Sequence, residues 1–382
     1  MHSSSQGEIF GRHYATHQSV RLSWRDGIIT SLEPVPDHAL SEPSWIAPSL
    51  FDIQVNGFGG IDFQQDHLSP EQLLTAVRAL RAAGCARFLL TLITDDWLKL
   101  TRRLLHLRQI RAHSPELHAA IAGWHIEGPF LSSAPGFHGA HDPTLMRDPT
   151  VSQVRELSSL LGNDLCLLTV SPERPGSLAA IAEAVSLRIK VSLGHTNASA
   201  EVLRDALSAG ATGFTHLGNG CPRELDRHDN ILWRVFELPG LDVSLIPDRI
   251  HVSPPLFRLI HRVLRPEAIL YTTDAMAAAG MPPGTYSLGK LRLEVEADQV
   301  VRQPGKPLFA GSALRPIDGV FRAAQMLAVP WQEVWDRFSL NPARFLGRPH
   351  GLEVGRPAHF CLLKVGLDNQ LLDLQVPVLT EG

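Results

Sequence analysis

Short apolar runs that each end in a polar residue recur through the middle of the chain. Four of these runs end at Glu127, His195, His216 and Asp274. Between them lie stretches with apolar residues at helical spacing, such as 200–209. A repeated succession of apolar run, polar tip and helix is typical of a parallel sheet with right-handed helical crossovers. The pattern therefore predicts an α/β fold.

A closed (β/α)8 barrel would bring the four polar tips to one mouth, because the carboxyl ends of all its strands meet at the same face. The first barrel strand is predicted at 50–56, where Gln54 and Asn56 are two residues apart and share an orientation. Facing the interior, they would reach the same mouth as Glu127. A hydrogen-bonded polar pair beneath the glycine turn at 57–60 is an equally compatible interpretation.

Both ends of the chain have a different pattern. Residues 1–46 contain short β-rich runs, two of them separated by Asp26-Gly27, which is a strong hairpin signal. The segment from 350 to 382 looks similar, and neither end has enough apolar area to be stable alone. We therefore predict that 1–46 and 350–382 form one small β-sandwich domain, and that 47–349 form the barrel.

Composition narrows the class of protein. The chain has 382 residues, of which 44% are hydrophobic and 19% charged, and a net charge of -4. There is no basic stripe for nucleic acid and no apolar run near the ~20 residues that span a bilayer. No signal peptide is evident, and the four cysteines are scattered without a Cys-x-x-Cys pair. We expect a cytoplasmic enzyme with neither nucleic-acid nor membrane partners.

The four tip residues suggest a specific chemistry. Glu127, His195 and His216 would provide three protein ligands and an open fourth position, as in catalytic rather than structural zinc sites. Water on such a metal ionises near neutrality, and the Asp274 carboxylate can move its proton to a leaving amine. Together these parts suit amide hydrolysis. Taken singly, each histidine could instead be a hydrogen-bonded structural residue, as we expect for His125.

Several segments resemble the N-acetylglucosamine-6-phosphate deacetylase family of the amidohydrolase superfamily. The resemblance runs from about Pro48 to about Leu363, and the order and spacing of its motifs are specific. The matching segments are 51–57, 125–131, 139–143, 194–196, 215–217, 248–251, 273–276, 310–312, 341–344 and the turn at Gly355.

The resemblance implies a distorted (β/α)8 barrel with a flanking β domain made from both termini. It implies that Glu127, His195 and His216 bind the divalent metal and that Asp274 is the general base and acid. It implies that His141 polarises the amide carbonyl. Many amidohydrolases carry His-x-His on the first strand and bind two metals, whereas this chain has Gln54-x-Asn56. One metal is therefore expected, with zinc favoured over iron, cobalt or manganese.

The resemblance also implies how an amino-sugar phosphate would bind. Asn219, Gly220 and His251 match positions that hold the substrate. Arg227 matches an arginine that reaches the phosphate site of the neighbouring subunit in a homodimer. The chain departs from the family at Gly218 and Cys221, where tyrosine and methionine are usual, and at Arg249, where glycine is usual.

Three functions remain open at this point. The leading one is hydrolysis of the N-acetyl amide of N-acetylglucosamine 6-phosphate. A second keeps the mechanism but acts on another N-acyl amino sugar or a cyclic amide. A third is an inactive barrel that binds a sugar or a partner, against which the retained ionisable residues argue.

Overall fold

The computed structural model describes residues 6–40, 44–305 and 309–377. In chain order the strands are β1 (Gln6–His13), β2 (Ser19–Arg25), β3 (Ile28–Pro34), β4 (Trp45–Pro48), β5 (Leu50–Val55), β6 (Gly57–Phe58), β7 (Ile61–Asp62), β8 (Cys85–Ile93), β9 (Ile121–Glu127), β10 (Leu165–Val170), β11 (Lys190–Leu193), β12 (Gly213–Phe214), β13 (Asp242–Leu245), β14 (Ile269–Tyr271), β15 (Gly284–Leu288), β16 (Leu291–Val295), β17 (Val301–Arg302), β18 (Phe360–Val365) and β19 (Leu371–Gln375). The α-helices are α1 (Pro70–Ala82), α2 (Trp97–Ala112), α3 (Pro115–Ala120), α4 (Val151–Leu161), α5 (Ser177–Ser186), α6 (Ala200–Ser208), α7 (Ile231–Phe236), α8 (Pro254–Val263), α9 (Pro316–Leu327), α10 (Gln332–Trp335) and α11 (Leu340–Phe345).

Eight parallel strands form the central barrel, in the order β14-β13-β12-β11-β10-β9-β8-β5. The two ends of this sheet meet where Val55, the last residue of β5, forms a parallel bridge with Ala275, beyond β14. The Asn56 amide donates to the Ala275 carbonyl over 2.7 Å. The barrel prediction is confirmed.

The barrel strands are buried on both faces, which explains why their sequences are nearly continuous apolar runs. All seven residues of β9 and all six of β5 are buried, as expected where helices and the barrel interior cover both faces. The crossover helices begin at recognisable caps. In α6 the Ser199 side chain accepts from the Val202 amide, and Leu203 and Ala206 are its buried residues.

A separate six-stranded sheet contains strands from both ends of the chain, in the order β19-β18-β4-β1-β2-β3. This confirms that the termini build a common sheet. β2 and β3 form the predicted hairpin, with Asp26 and Gly27 at φ of 51° and 73°. Tyr14 Oη donates to Asp336 Oδ1 over 2.6 Å and ties this sheet to the barrel side of the chain.

A small antiparallel sheet of β15, β16 and β17 is inserted after β14. The sequence analysis did not predict this insertion. Its residues Leu288 and Arg302, with Phe309 beyond it, line the cavity at the barrel mouth. The insertion therefore forms one wall of the site.

Of the helices within 6–40, 44–305 and 309–377, none combines the length and apolar character needed to cross a membrane.

Candidate active site and metal centre

The four predicted tip residues meet at one end of the barrel. Glu127 is the last residue of β9, and His195 and His216 lie two residues beyond β11 and β12. Asp274 lies three residues beyond β14. All four line one cavity of about 670 Å³. This placement follows from the parallel barrel, whose strand ends share one face.

The carboxylate of Glu127 is surrounded by three imidazoles. Its Oε1 lies 2.8 Å from His216 Nε2 and 3.4 Å from His195 Nε2, and its Oε2 lies 3.6 Å from His141 Nε2. His141 comes from the irregular segment after β9, and its ring contacts that of His195 edge-on at 4.6 Å. The structure therefore brings His141 to the metal-ligand group predicted from the strand tips. The ligand atoms of Glu127, His141 and His195 all lie within 4.8 Å of one another.

Hydrogen bonding around His195 indicates why this cluster fits a divalent cation. Its Nδ1 lies 2.7 Å from the carbonyl oxygen of Phe137, so Nδ1 must carry a proton. In the neutral ring, Nε2 then presents a lone pair toward the lone pairs of Glu127. A divalent cation between them would be bound by both lone pairs, one from an imidazole nitrogen and one from a carboxylate oxygen, and the repulsion would be removed.

The charge states of the cluster are consistent with such a centre. Although burial opposes it, the imidazoles of His195 and His216 hold the pKa of Glu127 well below its ordinary value. Burial, with the neighbouring His195, lowers the pKa of His141 to about 3. Glu127 is thus an anion and His141 a neutral ring at neutral pH. These are the forms in which both can bind a metal.

The backbone is unusual at three of the four tips. His195, His216 and Asp274 have φ of 50°, 34° and 51°, in the left-handed region that residues other than glycine rarely occupy. Such conformations cost roughly 1–3 kcal/mol each and cluster at functional sites. Here they turn each side chain inward at the end of its strand.

Asp274 is held by Gln54 of β5 and by Asn56, which directly follows that strand. Asn56 Nδ2 donates to Asp274 Oδ1 over 2.6 Å, and Gln54 Nε2 donates to the same oxygen over 3.0 Å. Burial and the nearby charge of Glu127 raise the pKa of Asp274 to about 6. Asn56 lines the cavity, whereas Gln54 is not among the lining residues. Asn56 therefore faces the mouth, as one interpretation predicted, and both residues are hydrogen-bonded, as the other predicted.

His251 is paired with a buried carboxylate. Its Nδ1 lies 2.6 Å from Asp248 Oδ2, and both side chains are nearly inaccessible. Asp248 Oδ1 also accepts from the amides of Ile250 and His251. Despite burial, the charge of Asp248 raises the pKa of His251. The ring lines the cavity with a partner that favours its protonated form.

The segment after His216 forms another wall of the cavity. Asn219 and Gly220 both line it. A β-carbon on Gly220, which has a φ of 59°, would lie 2.8 Å from His195 Nδ1, so only glycine can pass the ring so closely. Arg227 lies outside this lining, exposed, with Nε 3.0 Å from His228 Nε2. Within one chain it does not reach the site.

Cys221 and His125 have structural surroundings. Cys221 lies half-buried in the cavity wall, and burial raises the pKa of its thiol to about 11. His125 Nδ1 lies 3.0 Å from the Ile53 carbonyl and Nε2 lies 2.8 Å from Thr169 Oγ1. Neither arrangement resembles that of a metal ligand.

Some residues of the site were missed by the sequence analysis. Thr94 Oγ1 lies 2.8 Å from His141 Nδ1, and Asp248 holds His251. Arg223 lines the cavity in the wall that contains Asn219. Thr94 follows directly after β8, so the same rule that selected the other strand tips would have found it. Arg223 carries no such signal.

Convergence of metal-binding and acid–base groups at the carboxyl end of a parallel barrel defines a metal-dependent hydrolase of the amidohydrolase class, which cleaves carbon–nitrogen bonds. No protein-family profile matches the chain. It is 31% identical to the N-acetylglucosamine-6-phosphate deacetylase of Vibrio furnissii over 319 residues, which cover 83% of this chain and 78% of that protein. The chain belongs to the N-acetylglucosamine-6-phosphate deacetylase family.

Two further comparisons extend over nearly the whole chain. The N-acetylgalactosamine-6-phosphate deacetylase of Escherichia coli O157:H7 is 29% identical over 359 residues, which cover 93% of each protein. A solved mutant of the N-acetyl-D-glucosamine-6-phosphate deacetylase of Mycobacterium smegmatis, in complex with N-acetyl-D-glucosamine-6-phosphate, is similar with a TM-score of 0.87 and 29% identity. It covers 97% of this chain and 98% of that one.

Proposed function

We propose that this enzyme hydrolyses the N-acetyl amide of N-acetylglucosamine 6-phosphate to glucosamine 6-phosphate and acetate. The observation that carries the proposal is the group of Glu127, three imidazoles and Asp274 in one cavity large enough for a hexose phosphate. The names of the Vibrio furnissii relative and of the ligand bound to the Mycobacterium smegmatis protein support this substrate.

The proposed cofactor is one divalent ion, zinc, held by Glu127, His195 and His216 with His141 beside it. When bound, such an ion acts as a Lewis acid and lowers the pKa of a coordinated water to near neutrality. Gln54 and Asn56 support a single ion. Both side chains point an N–H donor at Asp274, whereas a second cation would need lone-pair donors at these two positions.

Asp274 is proposed as the general base that takes the proton of the attacking water and returns it to the leaving nitrogen. With a pKa of about 6 it is ionised at neutral pH yet close enough to neutrality to give the proton back. His141 is proposed to donate a hydrogen bond from Nε2 to the amide carbonyl. For this, Thr94 must donate to His141 Nδ1, so that the neutral ring carries its proton on Nε2.

The sugar phosphate is proposed to lie against Asn219, Gly220 and the His251 ring. Protonated by its pairing with Asp248, His251 suits an anionic group. We further propose a homodimer in which Arg227 of one subunit approaches the site of the other. The exposed position of Arg227 on its own chain supports this role.

The proposed cellular location is the cytoplasm, which the four free cysteines support. We also propose two structural units, with 1–46 and 350–382 flanking a barrel of 47–349. The pairing of β18 with β4 supports this division, since it joins the two ends of the chain.

A second candidate substrate is N-acetylgalactosamine 6-phosphate. The observation that favours it is the Escherichia coli O157:H7 relative, whose name specifies that sugar and whose match spans 93% of each protein. The two sugars differ in configuration at one carbon, distant from the amide, so the same residues could perform either reaction.

The test is amine release by zinc-reconstituted enzyme from N-acetylglucosamine 6-phosphate, N-acetylgalactosamine 6-phosphate and unphosphorylated N-acetylglucosamine. We expect the highest kcat/KM for the first compound. A higher value for the second would assign the enzyme to the epimer. Activity on none of the three by protein with bound metal would overturn the proposed function.

A further inference from the structure

Among the described residues, three cationic side chains line the cavity outside the cluster around Glu127, and they differ in what they contact. Arg302 is held by Asp298 through two contacts, Nη1 to Oδ1 at 3.0 Å and Nη2 to Oδ2 at 2.6 Å. His251 is held by Asp248 over 2.6 Å. Arg223 has no ion-pair or hydrogen-bonding partner among residues 6–40, 44–305 and 309–377. Within the described part of the chain, Arg223 is therefore the cation of this wall whose charge no carboxylate offsets.

The backbone that precedes Arg223 is fixed against the barrel mouth. Pro222 packs so closely on Gly136 that a β-carbon on Gly136 would lie 2.7 Å from Pro222 Cγ. Upstream, Asn219 Nδ2 donates to the His216 carbonyl over 3.3 Å. The segment thus begins at the proposed metal centre and holds Arg223 in the cavity wall, exposed to solvent.

We propose that Arg223 is the cation by which a chain recognises the phosphate of its own substrate. This inference rests on the proposed function and deepens it, because it specifies the residue that distinguishes a sugar phosphate from a free sugar. A guanidinium can offer two parallel N–H donors to phosphate oxygens, and one with no carboxylate partner gives up no existing ion pair.

The proposal separates Arg223 from Arg227, four residues later on the same segment. Arg227 lies outside the cavity lining of its own chain, and its proposed role is at the site of a neighbouring subunit. Recognition through Arg223 needs no second subunit. Arg223 would thus act from within its own chain, in addition to the contact that is proposed for Arg227 of the neighbouring subunit.

The test is the kinetics of Arg223→Gln on N-acetylglucosamine 6-phosphate and on N-acetylglucosamine. We expect kcat/KM for the phosphorylated sugar to fall by about tenfold or more, mainly through KM, because a charge-assisted contact is lost. We expect kcat/KM for the free sugar to change less than twofold. Arg223→Lys should retain part of the preference, since it keeps the charge without the paired donors.

The matched control is Arg204→Gln, which removes the same charge from an exposed position on α6 and should leave both substrates unaffected. A loss below tenfold in Arg223→Gln, or an equal loss on both sugars, would overturn the proposal. So would a collapse of phosphate preference in Arg227→Gln while Arg223→Gln retains it.

Failure of the proposed function would be recognised separately, because the wild-type enzyme would then not hydrolyse the sugar phosphate. In that case calorimetry with glucose 6-phosphate, which has no amide to cleave, decides the question. Tenfold weaker binding by Arg223→Gln than by the wild type supports the proposal. Equal affinity, or no binding by the wild type, contradicts it.

Discussion

The side-chain amide of Asn56, just after the first barrel strand, donates over 2.6 Å to Oδ1 of Asp274, just after the last. Gln54 donates to the same oxygen over 3.0 Å. Burial and the charge of Glu127 raise the pKa of Asp274 to about 6, and the two amides oppose that rise by stabilising the ionised form. Asn56 and Gln54 therefore help to keep Asp274, the proposed general base, ionised at neutral pH.

Replacing Asn56 with leucine should move the acid limb of the pH profile upward. The proposed mechanism requires ionised Asp274, so activity should fall as the pH drops through its pKa of about 6. A hydrogen bond to a charged group is worth about 1.5 kcal/mol, which corresponds to roughly one pKa unit. We expect the limb in kcat/KM to shift from about 6 toward 7. An unchanged limb would show that Asn56 does not control this titration.

Replacing Asp274 with asparagine should abolish most turnover and leave metal binding intact. Asparagine keeps the shape but cannot accept the proton of the attacking water, and general base catalysis contributes about 10²–10⁴-fold. The measurements are kcat and metal content by atomic emission. Asp373→Asn, at an exposed position of β19, is the matched control. Near-normal turnover with full metal would remove Asp274 from its proposed role.

Much of the barrel and its mouth could be predicted because burial on both faces makes the strands continuous apolar runs. The polar residue that ends each run then stands out, and parallel topology alone brings Glu127, His195, His216 and Asp274 together. Only the resemblance indicated His141. Its segment has no periodicity, and its approach to Glu127 depends on the path of an irregular loop.

Other features have no local signal in the residue types. The left-handed φ of His195, His216 and Asp274 occurs without the glycine that usually marks it. The pairing of His251 with Asp248 depends on a turn whose shape the spacing does not reveal. The three-stranded insertion consists of short, half-exposed strands, so its pattern is hard to distinguish from loop.

Replacing His195 with alanine should lower metal occupancy. Its Nε2 lies 3.4 Å from Glu127 Oε1, and its Nδ1 bond to Phe137 orients the ring toward that carboxylate. The substitution removes one of the three proposed metal ligands. We expect metal affinity to fall at least tenfold, because loss of a residue that merely supports a ligand already lowers it by about 10–100-fold. Metal content after dialysis against a graded chelator is the readout.

The control for this variant is His118→Ala, at an exposed position of α3. It removes an imidazole from the surface and should leave metal content unchanged. Full occupancy in His195→Ala after the same dialysis would mean that the ligand set is different.

Half-buried His350 should make the protein less stable in mild acid. Its Nε2 donates to the Ser49 carbonyl over 2.7 Å, next to the start of β5, and burial lowers its pKa from 6.5 to about 4. The unfolded chain therefore takes up a proton at higher pH than the folded one. The resulting stability is fully present above 6.5 and is lost as the pH falls toward 4, up to about 3 kcal/mol.

Replacing His350 with glutamine removes this titration while keeping a side-chain N–H that can donate to Ser49. Relative to the wild type, the free energy of unfolding should depend less on pH between 6.5 and 4. Urea unfolding at several pH values measures it, and the protonation of the metal-binding cluster cancels because both proteins contain it. His118→Gln should follow the wild-type curve. If His350→Gln followed that curve too, His350 would not be the titrating group.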